Sequence, residues 1–519
     1  MSASREKQVR RDNTSGVSPK TAREAKQRQE EQRSNFLYGL IAAALVIVTA
    51  ASAVWNSNII PRMAAAVSAD GKNYTAAQVD FWYNITANTT IGRWDYMASY
   101  LGLDTSKSLD EQTISDSAAE MLETEAGITW KEYFLQRGIQ QMVSAAKALE
   151  MAAEDGYQFS DSVQEEIDET IESLTTRAAA SGVSLGQYLK ATQGVGMTAG
   201  LYRAELRKYL QYQDYVQNYY DSMEYTPEEL EAYYEENTGD YDLVAYQADY
   251  LRGTAASTTD DEGNPVEPTE EESAAAHEAA EAKAQEIYAA YQGGASLESL
   301  AGTDDSISYY SGTDTPRDEL GTDLADWLYD ADRKDGDSAV IPSGENFYVA
   351  VFQGRHRDEN KTVDIRHILI TPETGELSEG DEGYEEEQAR LKEAAKAKAE
   401  EIYQQWKDGE ATEESFGELA RENTADSNGE QGGLYEKVYE GQMVQTFNDW
   451  CFDPARQSGD TGIVETEYGF HIMYYVGGNV PRWQAQVEAD VKANDFEEWT
   501  KSLYADADIT RHDFGMSFV

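Results

Sequence analysis

Two histidines stand apart from the rest of the chain by their settings. His367 lies in Asp364-Ile365-Arg366-His367-Ile368-Leu369-Ile370, and His471 lies in Tyr468-Gly469-Phe470-His471-Ile472-Met473. The 519 residues include only five histidines, and these two sit inside apolar runs that favour β-strands. An imidazole there is buried against its neighbours, and two such strands could bring the pair together. A histidine pair offers two-nitrogen tautomer exchange, which no other side chain reproduces. Either histidine alone reads as a hydrogen-bonded core residue, so the residues between them decide. No His-Glu-x-x-His or comparable ligand spacing occurs, which makes metal-dependent hydrolysis a poor reading. No metal and no cofactor is expected.

Between the histidines run Gly432-Gly433, then Gly441-Gln442-Met443 and Phe447, then Gly459-Asp460-Thr461-Gly462. With an Arg-His-Ile-Leu opening strand and a Gly-Phe-His-Ile closing strand, this order resembles the parvulin-type peptidyl-prolyl isomerases over about Val363 to Gly477. The resemblance implies that His367 and His471 are paired core histidines that hold each other's tautomer. It places Asp426, six residues before Gly432, near the substrate carbonyl. Met443 and Phe447, four apart on one helical face, would form the proline pocket. Tyr435 replaces the leucine that the family pattern has in the pocket wall, which leaves substrate preference open. Tyr468 stands where some relatives have Ser, and Thr466 keeps a hydroxyl nearby on the substrate side.

The chemistry so implied makes and breaks no bond. Rotation about a peptide bond faces a barrier of about 18–20 kcal/mol, and an uncatalysed X-Pro bond takes tens of seconds to turn. A catalyst needs a pocket for the ring, exclusion of water from the amide, and polar groups that favour the twisted state over the planar one. The phosphate-directed branch of the family needs a basic cluster after the first strand. Here Glu373 to Glu387 is acidic, so a generic proline substrate fits better.

The whole chain carries 97 acidic and 42 basic residues, a net charge of −55. That excludes a nucleic-acid footprint, which requires clustered Lys and Arg. Residues 1 to 33 are the exception, with nine Lys or Arg against five acids. The 20 residues from Phe36 to Trp55 carry no charge, enough at about 1.5 Å per residue to cross a bilayer core of about 30 Å. The basic flank places the N-terminus in the cytoplasm and the body outside, as a single-pass protein of the cell membrane. A cleaved signal peptide competes, because Ala51-Ser52-Ala53 has a small-x-small pattern. A single cysteine, Cys451, excludes an intramolecular disulfide and reads as a small buried hydrophobe.

Length suggests several domains. Residues 1–35 read as a basic cytoplasmic tail, 36–55 as a transmembrane helix and 64–240 as a helical module. Capping boxes at Thr75-x-x-Gln78, Ser184-x-x-Gln187 and Thr226-Pro227-Glu228-Glu229 start helices there. Apolar periodicity marks Ile128 to Ala153, Ser162 to Ala179 and Thr198 to Met223. Tyr202, Tyr209, Tyr212 and Tyr215 read as helix-packing residues, or alternatively as a cradle for unfolded chains.

Residues 241–358 repeat the isomerase segment at 363–478. Ala282 to Tyr288 matches Ala397 to Tyr403, Asp326-Trp327 matches Asp449-Trp450, and Gly336-Asp337 matches Gly459-Asp460. The alignment sets Tyr250 on His367, Tyr348 on His471, and Leu320 and Leu324 on Met443 and Phe447, so this copy reads as degenerate. Residues 479–519 read as a C-terminal helical tail, helical over Asp495 to Ala505, and the resemblance implies that it packs back on the helical module. The fold class is α+β: a helical chaperone-like module and tandem parvulin-like domains, each an antiparallel sheet flanked by helices, after one transmembrane helix. The order resembles extracytoplasmic foldases of the PrsA and SurA type, whose partners would be unfolded or partly folded exported proteins with X-Pro bonds. The alternative is a non-enzymatic holdase or scaffold; clients and oligomeric state are not legible.

Overall fold

The computed structural model describes residue 46 and residues 58–519, apart from 95, 260–264 and 305. The run from Phe36 to Trp55 therefore lies, but for Val46, outside the described residues. Among those described, no helix is long and apolar enough to cross a membrane. The chain forms two compact units, Met1–Met223 with Phe496–Val519, and Glu224–Asp495.

The first unit is built on four long helices, Ala76–Trp94, Trp130–Glu154, Ser162–Ala180 and Ala199–Asp221. Polar caps set where they begin: Thr129 accepts from the Glu132 N–H at 3.1 Å, and Thr198 from the Leu201 N–H at 3.1 Å. Their inward faces bury Phe81, Trp82, Ile139, Met142, Ile167 and Leu206. Tyr202, Tyr209 and Tyr215 are buried as well, so these three are packing residues and not an open cradle.

The helical reading of 64–240 misses a small sheet in which β1 (Ala65–Ala69) pairs with β2 (Lys72–Thr75) and with a strand from the far C-terminus, Ile509–Arg511. An alanine-rich strand of five residues has no strong alternation. Its third partner lies more than four hundred residues away, so only tertiary pairing reveals it. Phe496–Val519 packs within this unit, Leu503 against Ala148, Ala152 and Tyr215, and Trp499 stacked on Tyr219 at 3.8 Å. The helix concerned runs Arg482–Ala505, longer than the expected Asp495 to Ala505.

The second unit holds two four-stranded antiparallel sheets of identical topology. The first comprises β3 (Asp242–Leu251), then, after the short pair β4 (Thr258–Thr259) and β5 (Pro265–Val266), β6 (Ile307–Thr315), β7 (Ser338–Ser343) and β8 (Asn346–Arg357). The second comprises β9 (Lys361–Ile370), β10 (Leu434–Val438), β11 (Thr461–Thr466) and β12 (Gly469–Pro481), and Ile509–Arg511 is β13. The strand orders are β6-β3-β8-β7 and β10-β9-β12-β11. Each sheet buries one face against a long helix, Glu270–Gln292 in the first and Tyr384–Asp408 in the second. Each covers the other face with a single short helix, Thr322–Leu328 or Gln445–Cys451.

Even a turn is repeated in detail. Arg333 lies 4.1 Å over the Trp327 ring and donates to the Trp327 carbonyl at 3.0 Å. Arg456 lies 3.9 Å over Trp450 and donates to its carbonyl at 3.0 Å.

The register corrects one alignment. His367 pairs with Met473, whose counterpart in the first sheet is Ala350, and Ala350 pairs with Ala248. Ala248, not Tyr250, occupies the position of His367, and Tyr250 corresponds to Leu369. The expected position is two residues off. A shift of two leaves every side chain on its original face, so the apolar pattern cannot detect it.

Candidate active site

Strands β9 and β12 carry the two histidines on one face. His367 lies opposite Met473 and His471 opposite Leu369, which makes the imidazoles diagonal neighbours across the pair. Their rings are 5.2 Å apart, with Nδ1 to Nδ1 at 3.1 Å, and both are buried. On the opposite face Ile368, Ile370, Phe470 and Ile472 pack with Trp406, Phe416 and Ala399, which fixes both strands from behind.

Two glycines bring the neighbouring segments in. Gly433 has φ +71°, and a Cβ there would stand 2.2 Å from the His367 carbonyl oxygen. Gly469 has φ +140°, and its Cβ would stand 2.4 Å from the Ile370 carbonyl oxygen. Any side chain at either position would push β10 or the β11–β12 turn off strand β9.

The loop 424–433 delivers Asp426. Its Oδ2 lies 3.1 Å from His367 Nε2, an ion-pair distance whose angle falls short of a straight hydrogen bond, and it accepts from the Tyr435 hydroxyl at 3.2 Å. Its Oδ1 accepts from the Ser427 N–H at 2.6 Å. At the other end, Thr466 Oγ1 and His471 Nε2 are 2.9 Å apart, and Thr466 accepts from the Tyr468 N–H at 3.2 Å.

His367, then the Ser427 N–H and the Tyr435 hydroxyl, hold the Asp426 carboxyl well below the usual carboxylate range, against the opposing effect of its partial burial. Burial, then the neighbouring His367, lowers His471 to about 4. Burial, then Asp426, pushes the Tyr435 hydroxyl up to about 12. With Asp426 ionised and His471 neutral, one proton arrangement, assigned from the geometry, fits the contacts of the row. Thr466 O–H donates to His471 Nε2, His471 Nδ1–H donates to His367 Nδ1, and His367 Nε2–H lies beside Asp426 at ion-pair distance without a straight hydrogen bond.

Aromatic rings enclose this row. Tyr435 stacks on His367 at 5.1 Å and 17°, and the Phe447 ring stands edge-on to both imidazoles at 5.4 and 5.2 Å. Phe447 is buried on the short helix Gln445–Cys451. In front of them opens a cavity of about 440 Å³. His367, Asp426, Tyr435, Met443, Phe447 and His471 all line it, as six of the seven site residues read from the sequence. The seventh, Thr466, does not: it reaches the site only through His471.

Leu369, Ala425, Ser427, Gln442, Val444 and Tyr468 complete the wall. The period-2 alternation of β9 puts Leu369 on the His367 face and could have found it. Ser427 and Ala425 come from an irregular loop that leaves no such signal. A larger cleft of about 550 Å³ in the same unit contains no histidine, and its Arg317 is paired with Asp326 at 2.6 Å.

An antiparallel four-stranded sheet with helices on both faces and a buried histidine pair over an aromatic-floored cavity is the arrangement that the resemblance to the parvulin-type isomerases implies. Residues 351–476 match the model of the PPIC-type PPIASE domain. Among known proteins it is similar to foldase protein PrsA 1 of Listeria innocua serovar 6a, 31% identical over 132 residues that cover 25% of this chain and 36% of the relative. The chain thus spans about a third of the length of that curated relative. Solved structures it resembles include the peptidylprolyl isomerase PrsA of Bacillus anthracis, 20% identical over 31% of this chain and 58% of the other, with a TM-score of 0.18. PrsA from Bacillus subtilis is 14% identical over 76% and 93% of the two chains, with a TM-score of 0.27.

Proposed function

We propose that this chain catalyses cis/trans isomerisation of X-Pro bonds in unfolded exported polypeptides, at the cavity of the second sheet. The supporting observation is the continuous polar row from Thr466 to Asp426 set against an apolar floor. Phe447, Met443 and Leu369 take the pyrrolidine ring. The Tyr435, Phe447 and Tyr468 rings that line the cavity help to exclude water from the amide, so that polar contacts to it count for more than in bulk solvent.

Asp426, His367 and His471 act as catalytic residues in this reading, and Tyr435 as part of the substrate wall. Thr466 holds the His471 tautomer and is a positioning residue. Since each tenfold gain in rate needs only about 1.4 kcal/mol of preferential binding to the twisted amide, a few such contacts suffice. Residues 241–358 act as a degenerate copy that binds or spaces without isomerising. The helical unit acts as chaperone, and residues 36–55 tether the body outside the membrane, a reading supported by the basic flank before an uncharged run.

Exchange of an X-Pro peptide, followed by NMR with the full chain at catalytic concentration, tests the activity. Acceleration that disappears in His471→Ala, with the fold retained, is the expected result. A folded protein without any acceleration refutes it and leaves the holdase reading. Protease added to intact cells tests the topology: the body should be digested and a short N-terminal fragment spared.

A further inference from the structure

The proline ring, seated on Phe447, Met443 and Leu369, leaves the polar half of the cavity for the residue that precedes it. Consecutive Cα atoms are about 3.8 Å apart, so the side chain of X lands within reach of the opposite wall. Asp426, Ser427, Tyr435 and Tyr468 line the cavity together with that floor. No lysine or arginine lines the cavity. Three basic residues of this fold are paired with carboxylates: Arg366 with Glu413 at 3.0 Å, Lys437 with Glu488 at 2.7 Å and Lys392 with Glu465 at 2.6 Å.

Asp426 is only partly covered, its side chain 23% exposed, so its charge is available at the cavity surface. The rim reinforces it. The chain leaves β9 at Thr371, whose Cα would stand 3.1 Å from a Cβ on Gly469, beside the exposed Tyr468 at the tip of the β11–β12 turn. From Glu373 to Glu387 the segment that begins there has eight carboxylates and no Lys or Arg.

We propose that the site selects by charge for a basic residue immediately before proline, with Asp426 as the determinant inside the cavity and the acidic segment after β9 as the field outside it. This rests on the isomerase reading of the same cavity and adds its substrate class. A Lys or Arg side chain at X finds an ionised carboxylate at a partly desolvated wall, and the Tyr435 and Tyr468 rings offer faces to its cationic head. A Glu or Asp at X meets the same charge with opposite sign and no compensating cation.

The experiment uses the full chain and three peptides identical except for Lys, Ala or Glu before proline, with kcat/KM from NMR exchange at low and high salt. The expected order is Lys, Ala, Glu, with Lys over Glu on the order of tenfold, shrinking as salt screens the field. Asp426→Asn should bring the ratio close to one, whatever it does to the absolute rate. Equal kcat/KM for the three wild-type reactions overturns the charge preference while leaving the isomerase reading intact. Acceleration of none of them overturns the isomerase reading itself. A ratio that survives Asp426→Asn but vanishes with salt removes Asp426 as the determinant.

Discussion

The two sheets of the second unit share strand order, register and even the tryptophan–arginine turn, yet differ at almost every position that lines the cavity. Where the second has His367, His471 and Tyr435, the first has Ala248, Tyr348 and Gly312; Leu320 and Leu324 replace Met443 and Phe447. Tyr348 sits 5.1 Å from Tyr250 in the first sheet, a pair of phenol rings where the second has an imidazole beside a leucine. The fold survives these exchanges because strand alternation and the two helix layers need only apolar bulk at the right period. A hydrogen-bonded row does not survive them, since a phenol has one oxygen and cannot accept at one ring atom while donating at another.

A second contrast lies on the helix-packed face. Ile368 packs into the core of the second sheet, whereas its counterpart Asp249 is fully buried, and among the described residues neither carboxylate oxygen has a hydrogen-bond partner. Burial pushes its pKa up to about 7. The first copy therefore carries a cost that the second does not.

The largest effect should come from Phe447→Ala in the full chain. Removing the ring that floors the cavity should lower kcat/KM for an X-Pro peptide on the order of 100-fold, equivalent to about 3 kcal/mol of transition-state binding. Circular dichroism would check that the fold persists. If the remaining first copy sustains substantial turnover, the distinction between the sheets collapses.

The unfolding of the two sheets should respond to pH in opposite senses. His471 has a depressed pKa in the fold, about 4 against an ordinary 6.5, so the unfolded chain binds the extra proton first. The second sheet should lose stability as pH falls from about 6.5 to about 4. Asp249 has a raised pKa, so the unfolded chain ionises first, and the first sheet should lose stability as pH rises from 3.8 to about 7. Hydrogen exchange at amides of β3 and β9, measured at both ends of that range, would separate the two. Parallel trends would break the comparison.

Asp249→Leu should stabilise the first sheet at neutral pH by about 1–3 kcal/mol, the scale of an unsatisfied buried polar group, and leave the isomerase rate unchanged. Denaturant unfolding and the peptide assay together check this. The smallest effect is expected from Thr466→Val, which removes one hydrogen bond to His471 Nε2. It should slow isomerisation severalfold, with little change in KM, and shift the acid limb of the rate profile. Ser343→Ala, at the matching position of the first sheet, should do neither.

Much of the site was legible because its residues sit on regular elements. Alternation put both histidines on buried strands, and helical spacing put Met443 beside Phe447. Tyr435 was singled out by its departure from the family pattern, although nothing in the sequence said that its ring would lie flat on His367. The wall formed by Ala425 and Ser427 was not legible, because an irregular loop has no period to read. Nor was the buried state of Asp249, an acid on a β-favouring run that is covered only once the sheet and its helices have packed.

The amino-acid sequence by itself determined local matters: where caps begin helices, which strand faces are apolar, and the type and order of the residues that meet in the cavity. These follow from side-chain chemistry and backbone period over a few residues. Tertiary structure alone decided the rest. The pairing of β1 with β13, the two-residue placement of Ala248 against His367, and the Nδ1-to-Nδ1 contact all depend on which strands lie side by side and in what register. Register is a cooperative property of a whole sheet and its two packed layers, and no single stretch of chain contains it.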